Sequence, residues 1–244
     1  MLVSMGQFGQ FILRAASLGD DTCTKFRRIA GNGRAPVVCF LPWCMPYRLA
    51  QGMGLVPRDF LVCYELPGAS VSSEPDLCID AMRQLADDAE ATVRSAKIDP
   101  RRLVVVGMSM GTAVATYFAN RMGATLWSIA SADRGDLMLW ESPVARVIRD
   151  RAADKGYELS DFTRVTCGYH PIDNLGNLAP GSRFVIGLRD EAVPAPRREG
   201  LVAAVRREMP HAEISFLDAG HIQTLVASVR GGFAPALSER RQSA

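Results

Sequence analysis

The stretch Leu103-Val104-Val105-Val106-Gly107-Met108-Ser109-Met110-Gly111 decides how this chain is read. Four consecutive apolar residues, Leu103 to Val106, are the pattern of a strand covered on both faces. From Met110 to Met122 the sequence has helical character, and Gly123 is placed to cap it. Between strand and helix lies Gly-x-Ser-x-Gly. Such a turn holds the serine in a strained backbone conformation and lifts its hydroxyl clear of the sheet. Glycines two positions to either side are expected because strand and helix come too close there for larger side chains. The start of the helix adds unpaired N–H groups and partial positive charge below any developing oxyanion. Gly-x-Ser-x-Gly alone arises by chance in turns; a strand before it and a helix after it single this one out.

Working outward, the same alternation recurs. Apolar runs at Val37–Leu41, Phe60–Tyr64, Leu126–Ala130, Phe184–Ile186 and Ile214–Leu217 read as further strands. Thr22–Ala30, followed by Gly31-Asn32-Gly33, reads as an outer strand with a hairpin-like turn into the first central strand. Helices are expected over Asp76–Arg94, after the start signal Ser73-Glu74-Pro75, and over Pro196–Met209 and Ile222–Val229. Met1–Leu18 reads as a packing helix, and the tail from Leu237 as charged and frayed. Strands alternating with helices mean an α/β fold: a mostly parallel sheet with helices on both faces. No repeat or low-complexity linker divides the chain. Residues 1–244 are read as one domain, with a small cap-like insertion around 133–182.

Composition narrows the function classes. The 244 residues are 48% hydrophobic and 22% charged, values ordinary for a globular protein. Lys and Arg number 28 against 26 acids, a net charge of +2, which gives no field to draw in a polyanion. Nucleic acid is therefore not an expected partner. The six cysteines show no Cys-x-x-Cys spacing and no metal-site pattern, and a chain this long needs no disulfide framework. Neither a signal peptide nor a membrane-spanning run is read. The expectation is a cytoplasmic protein with no membrane, metal or cofactor requirement.

The strand–Gly107-Met108-Ser109-Met110-Gly111–helix unit resembles that of the α/β-hydrolase family, and the likeness extends from about Val37 to Val229. That resemblance implies a nucleophilic Ser109, an acid after a later strand and a histidine after the last one, in the order Ser, Asp/Glu, His. Three histidines are available. His211 precedes the strand Ile214–Leu217, at the end of the sheet opposite Ser109. His221 follows that strand in Leu217-Asp218-Ala219-Gly220-His221, at the carboxyl edge where catalytic groups of parallel sheets gather. His170 fits a connection near the site less well and is read as structural. For the acid, Gly187-Leu188-Arg189-Asp190-Glu191-Ala192-Val193-Pro194 resembles the family's G-x-x-D-x-x-V-P turn, which assigns Asp190. Glu191 and Asp133 are its rivals.

The family resemblance also implies two backbone donors for an oxyanion. Met110, directly after the serine, supplies one. The second comes from Leu41-Pro42-Trp43-Cys44-Met45-Pro46, where many relatives carry His-Gly in place of Leu41-Pro42. Pro42 and Pro46 have no N–H, so Trp43 is the candidate and Cys44 its reserve. Leu137-Met138-Leu139-Trp140, Tyr157 and Tyr169 can line an acyl pocket or pack a helix onto the sheet, with Met45, Met108 and Met110 adding an adaptable wall.

These readings converge on a cofactor-free hydrolase that cleaves a carboxylic ester of an apolar acyl group through an acyl-serine. Val38-Cys39-Phe40-Leu41-Pro42 and Glu65-Leu66-Pro67-Gly68 also resemble early motifs of the stand-alone thioesterases of polyketide and peptide synthesis. Thioester hydrolysis or acyl transfer is accordingly the alternative. A binding protein that has lost turnover is the alternative from outside enzymology.

Overall fold

Seven strands build one sheet in the order β1-β3-β2-β4-β5-β6-β7, as seen in a computed structural model that describes residues 21–229. The strands are β1 (Arg27–Ala30), β2 (Val37–Phe40), β3 (Val62–Glu65), β4 (Val104–Met108), β5 (Thr125–Ile129), β6 (Arg183–Gly187) and β7 (Glu213–Leu217). All neighbouring pairs are parallel except β1 with β3. The expected central strands are therefore present within a residue or two of their apolar runs.

One expectation needs correction. The turn at 31–33 does not pair the outer strand with β2; β1 runs antiparallel to β3, with Arg27 opposite Glu65 and Ala30 opposite Val62. Exposure explains the placement. Every residue of β2 is buried, so β2 needs cover on both sides and sits between β3 and β4. β1 is largely exposed and suits an edge. The readings of Met1–Leu18 and of the tail from Leu237 lie outside the described residues.

Alternation along the strands splits the core in two. Val38 and Phe40 of β2, with Val105, Leu126 and Phe184, face a layer formed by α2 (Pro75–Ser95), α3 (Gly111–Met122) and α7 (Ala195–Glu208). Val37 and Cys39, with Val104, Val106 and Met108, face α1 (Tyr47–Gly52) and α8 (221–229). Each strand therefore buries both faces, which is why its sequence is apolar at nearly every position. Between β5 and β6 run three short helices, α4 (Gly135–Glu141), α5 (Arg146–Asp154) and α6 (Leu159–Thr166). Among the described residues no helix is long and apolar enough to cross a membrane.

The sheet order also fixes where a site can form. The chain leaves β2 toward β3 on one side, then crosses back over β2 to lay down β4 on the other. Loops leaving the carboxyl ends of β2 and β4 diverge and open a crevice. Crevices of this kind are where α/β sheets bind ligands. The loop 41–46 and Ser109 flank this one.

Candidate active site

Ser109 occupies the turn between β4 and α3 with φ 53°, a left-handed conformation rare for a residue with a side chain. Its N–H is held by the carbonyl of Ile129 at 2.9 Å, which ties the turn to β5. A methyl group at Gly107 would stand 2.5 Å from Cβ of Ala115 and 2.7 Å from Cα of Thr112. At Gly111 it would lie 2.5 Å from the Phe40 carbonyl oxygen and 2.6 Å from that of Leu41. Both glycines are thus required by close approach of strand and helix, as the sequence motif implies.

His221 opens α8 just after β7. Its Nε2 lies 2.8 Å from Oγ of Ser109, and its Nδ1 lies 2.7 Å from Oδ2 of Asp190. Histidine and aspartate are both buried, at 3% and 6% exposure, so water competes little for these bonds. The second oxygen of Asp190 accepts the N–H groups of Ala192 and Val193, each at 2.9 Å. With that oxygen committed to its own loop, the carboxylate presents the other to the imidazole. The Nδ1 proton then belongs to the bond with Asp190, leaving Nε2 free to accept from the serine.

The two rival acids are engaged elsewhere. Glu191 accepts the backbone N–H of His221 at 3.1 Å and anchors the start of α8 rather than the ring. Asp133 pairs with Arg197 at 3.3 Å. Burial pushes its carboxyl above the ordinary range, against the pull of Arg197. His211 precedes β7 and is exposed, at the far end of the sheet from Ser109.

Arg198, which no sequence signal singles out, staples the loop that carries Asp190. Its guanidinium donates to the carbonyls of Asp190 and Val193 at 2.6 Å and of Leu188 at 3.1 Å. Three main-chain acceptors around one planar cation fix the path of residues 188–193.

Across the crevice, Pro42 to Met45 form a turn closed by the Met45 N–H on the Pro42 carbonyl at 3.1 Å, with Cys44 at φ 59°. The Trp43 indole donates to the carbonyl of Gly68 at 3.1 Å and pins this turn. Leu41 spends its N–H on Tyr64 in the sheet. Among the described residues, no main-chain carbonyl engages the N–H of Trp43, Cys44 or Met110. Trp43 and Met110 both border the cavity at Ser109.

That cavity, of about 130 Å³, is walled mainly by apolar side chains, drawn from α2, α3, α4, α6 and the loops around them. Met138, Leu139 and Tyr169 contribute, as does Met110. Trp140 and Tyr157 instead pack against Phe162, at ring separations of 5.5 and 6.5 Å. Met45 and Met108 lie in the core on the α1/α8 face, because strand alternation turns Met108 to the side of Val104 and Val106. Phe162 and the α2 residues Cys78, Ile79 and Met82 line the cavity without any local sequence signal to mark them.

His170 also borders this cavity, a placement its sequence position does not reveal. Its Nδ1 accepts the Gly135 N–H at 3.3 Å, at the start of α4. Nε2 stands 3.4 Å from Oγ1 of Thr166 and 3.7 Å from Asp136. Burial lowers its pKa, with Asp136 and Asp173 opposing. Burial alone would raise the Asp136 carboxyl, but bonds from Arg134 and Thr163 bring it below the ordinary range. Among the described residues no group of three or more His, Cys, Asp or Glu side chains is arranged to hold a metal.

The comparisons agree with this architecture. A model of the alpha/beta hydrolase family matches residues 38–230. No curated protein gives a significant sequence match. Among solved structures, TT1662 from Thermus thermophilus superposes with TM-score 0.58 at 18% identity, over 86% of this chain and 92% of that one. A structure from a study of carboxylesterases of Nitrososphaera gargenis gives TM-score 0.52 at 12% identity, covering 88% and 95%. Acylaminoacyl peptidase from Pyrococcus horikoshii gives TM-score 0.57 at 13% identity, covering 84% of this chain and 36% of the peptidase. At such identities the likeness concerns the fold.

Proposed function

This chain belongs to the alpha/beta hydrolase family, and from that premise we propose that it is a serine hydrolase cleaving a carboxylic ester of an apolar acyl group. One observation carries the reading. Ser109, His221 and Asp190 form a continuous hydrogen-bonded relay, with steps of 2.8 and 2.7 Å, at the mouth of an apolar cavity. A serine hydroxyl is a weak nucleophile at neutral pH unless a base within hydrogen-bond reach takes its proton.

In this mechanism Oγ of Ser109 attacks the substrate carbonyl carbon while its proton passes to Nε2 of His221. Asp190 holds the imidazole in its tautomer and stabilises the imidazolium without itself taking the proton. The oxyanion is received by the N–H of Met110 and by that of Trp43, whose turn the indole bond to Gly68 keeps in place. Collapse breaks the bond to the leaving oxygen, which receives the proton from His221. Water, activated by the same imidazole, then releases the acid from the acyl-serine. Residues 133–182 serve in this reading as a small cap whose helices close the acyl cavity.

The test is labelling by a fluorophosphonate with the adduct located by peptide mass spectrometry, alongside hydrolysis of p-nitrophenyl esters and acyl-thioesters. The adduct is expected on Ser109, with ester turnover. An unreactive Ser109, under conditions that label a control esterase, sinks the proposal in favour of a binding protein. Strong preference for thioesters replaces the substrate class and keeps the mechanism.

A further inference from the structure

Ser109 does not border one space but two. Besides the cavity of about 130 Å³, a niche of about 40 Å³ adjoins the same hydroxyl. Trp43, Met110, Val144, Ala192 and His221 border both spaces, whereas Pro42, Ile222 and Leu225 wall only the niche. The two volumes differ enough to discriminate ligands. A dry cavity of about 150 Å³ takes up benzene, and one water needs roughly 10–15 Å³. Scaled to benzene, the large space holds a chain of about five carbons beyond the carbonyl, and scaled to water the niche holds about three heavy atoms.

Chemistry assigns a direction to this asymmetry. The oxygen that leaves must receive its proton from Nε2 of His221, so the leaving group lies on the side of the histidine's helix. Ile222 and Leu225, on that helix, wall the niche and not the large cavity. The large cavity also touches His221, but past the imidazole it is walled by α2, α3 and the helices between β5 and β6 rather than by the histidine's helix.

We propose that the substrate is an ester of a medium-sized apolar acid, of about six carbons, with a short alcohol of no more than about three heavy atoms. The acyl group fills the large cavity and the alcohol fills the niche. This rests on the serine-hydrolase reading and sharpens its substrate class. The reaction consumes water and yields a free acid and a small alcohol, with no redox partner.

Constitutional isomers test it, because they equalise total apolar surface and change only its distribution. Methyl hexanoate and pentyl acetate contain the same atoms, and acid release from each is followed in a pH-stat. The value of kcat/KM for methyl hexanoate is expected to exceed that for pentyl acetate by about tenfold or more, the scale of a pocket misfit of a methylene or two. Ile222→Ala, which enlarges the niche, should raise the ratio of kcat/KM for pentyl acetate to that for methyl hexanoate several-fold. Met82→Trp, which fills the large cavity, should lower methyl hexanoate relative to methyl acetate by about tenfold. Equal rates for the isomers, or preference for pentyl acetate, overturn the proposal even if both variants fail to fold. Absence of any ester turnover by a protein whose Ser109 takes the fluorophosphonate overturns it as well. A Ser109 inert to the fluorophosphonate overturns the hydrolase reading itself, so the two failures are distinct.

Discussion

One oxygen of the Asp190 carboxylate faces Nδ1 of His221 at 2.7 Å, while the other is held by two N–H groups of the same loop, those of Ala192 and Val193. The Asp190 carboxylate is thus held by its own turn as well as by the imidazole. Asn at this position can offer an amide N–H to the ring and stabilise the wrong tautomer. Asp190→Asn is expected to lower kcat by about three to four orders of magnitude. Asp133→Asn, which alters the pair with Arg197 instead, should leave kcat within a few-fold of the parent. Steady-state kinetics on both variants checks this; the reverse pattern moves the acid role to Asp133.

Arg198 acts on the same loop from behind. Removing its three bonds to main-chain carbonyls lets Asp190 shift, and a displacement of about 1 Å can cost on the order of a hundredfold in rate. Arg198→Met is therefore expected to lower kcat by about tenfold to a hundredfold, with KM little changed. A matching loss in kcat and thermal stability together with a large rise in KM would show a general loosening instead.

The turn at Ser109 has no room for side chains at its glycines. A methyl at Gly111 meets two main-chain carbonyl oxygens, of Phe40 and Leu41, which cannot rotate away. Gly111→Ala is expected to destabilise the fold by about 1–3 kcal/mol, measured by urea denaturation. It should also slow fluorophosphonate labelling, because Leu41 leads directly into the Trp43 turn.

Stability should depend on pH through His170. Burial holds its folded-state pKa below the ordinary 6.5. As pH falls below about 6.5 the unfolded chain takes up a proton that the folded chain resists, so the unfolded state binds more protons and stability declines. The contribution is present in full above that value and is lost as pH falls through the folded-state pKa. Protonation also turns Nδ1 from acceptor to donor against the Gly135 N–H. Melting temperatures between pH 5 and 8 should fall on the acid side for the parent, and the slope should flatten in His170→Gln.

Thiol reactivity should divide by burial. Cys78 is pushed up to about 12 and Cys44 to about 11, and burial also raises Cys39 strongly. Thiolate is the reactive form, so iodoacetamide at pH 8 should modify exposed Cys167 well before these three. Peptide mass spectrometry before and after denaturation reads the order. Early modification of Cys39 would contradict its burial between β3 and β4.

Much of the fold could be read from the chain because it is written locally. Strands buried on both faces are apolar at successive positions, and Gly107, Ser109 and Gly111 encode their own turn within five residues. The edge position of β1 was not legible in the same way. Whether a turn after a strand closes a hairpin depends on which neighbour most needs covering, and here that was the fully buried β2.

What the sequence determined by itself is therefore the strand–turn–helix unit around Ser109 and the position of His221 beyond the last strand, since short-range sterics and apolar periodicity decide both. Only the tertiary structure decided which carboxylate meets the imidazole: Asp190 reaches the ring, Glu191 the backbone N–H of the same residue, and Asp133 an arginine. It also brought Met82, Phe162 and His170 to one cavity with Ser109. Neighbours along a loop can point to different partners, and a cavity is bounded by side chains from separate elements. Neither property is carried by any one stretch of chain.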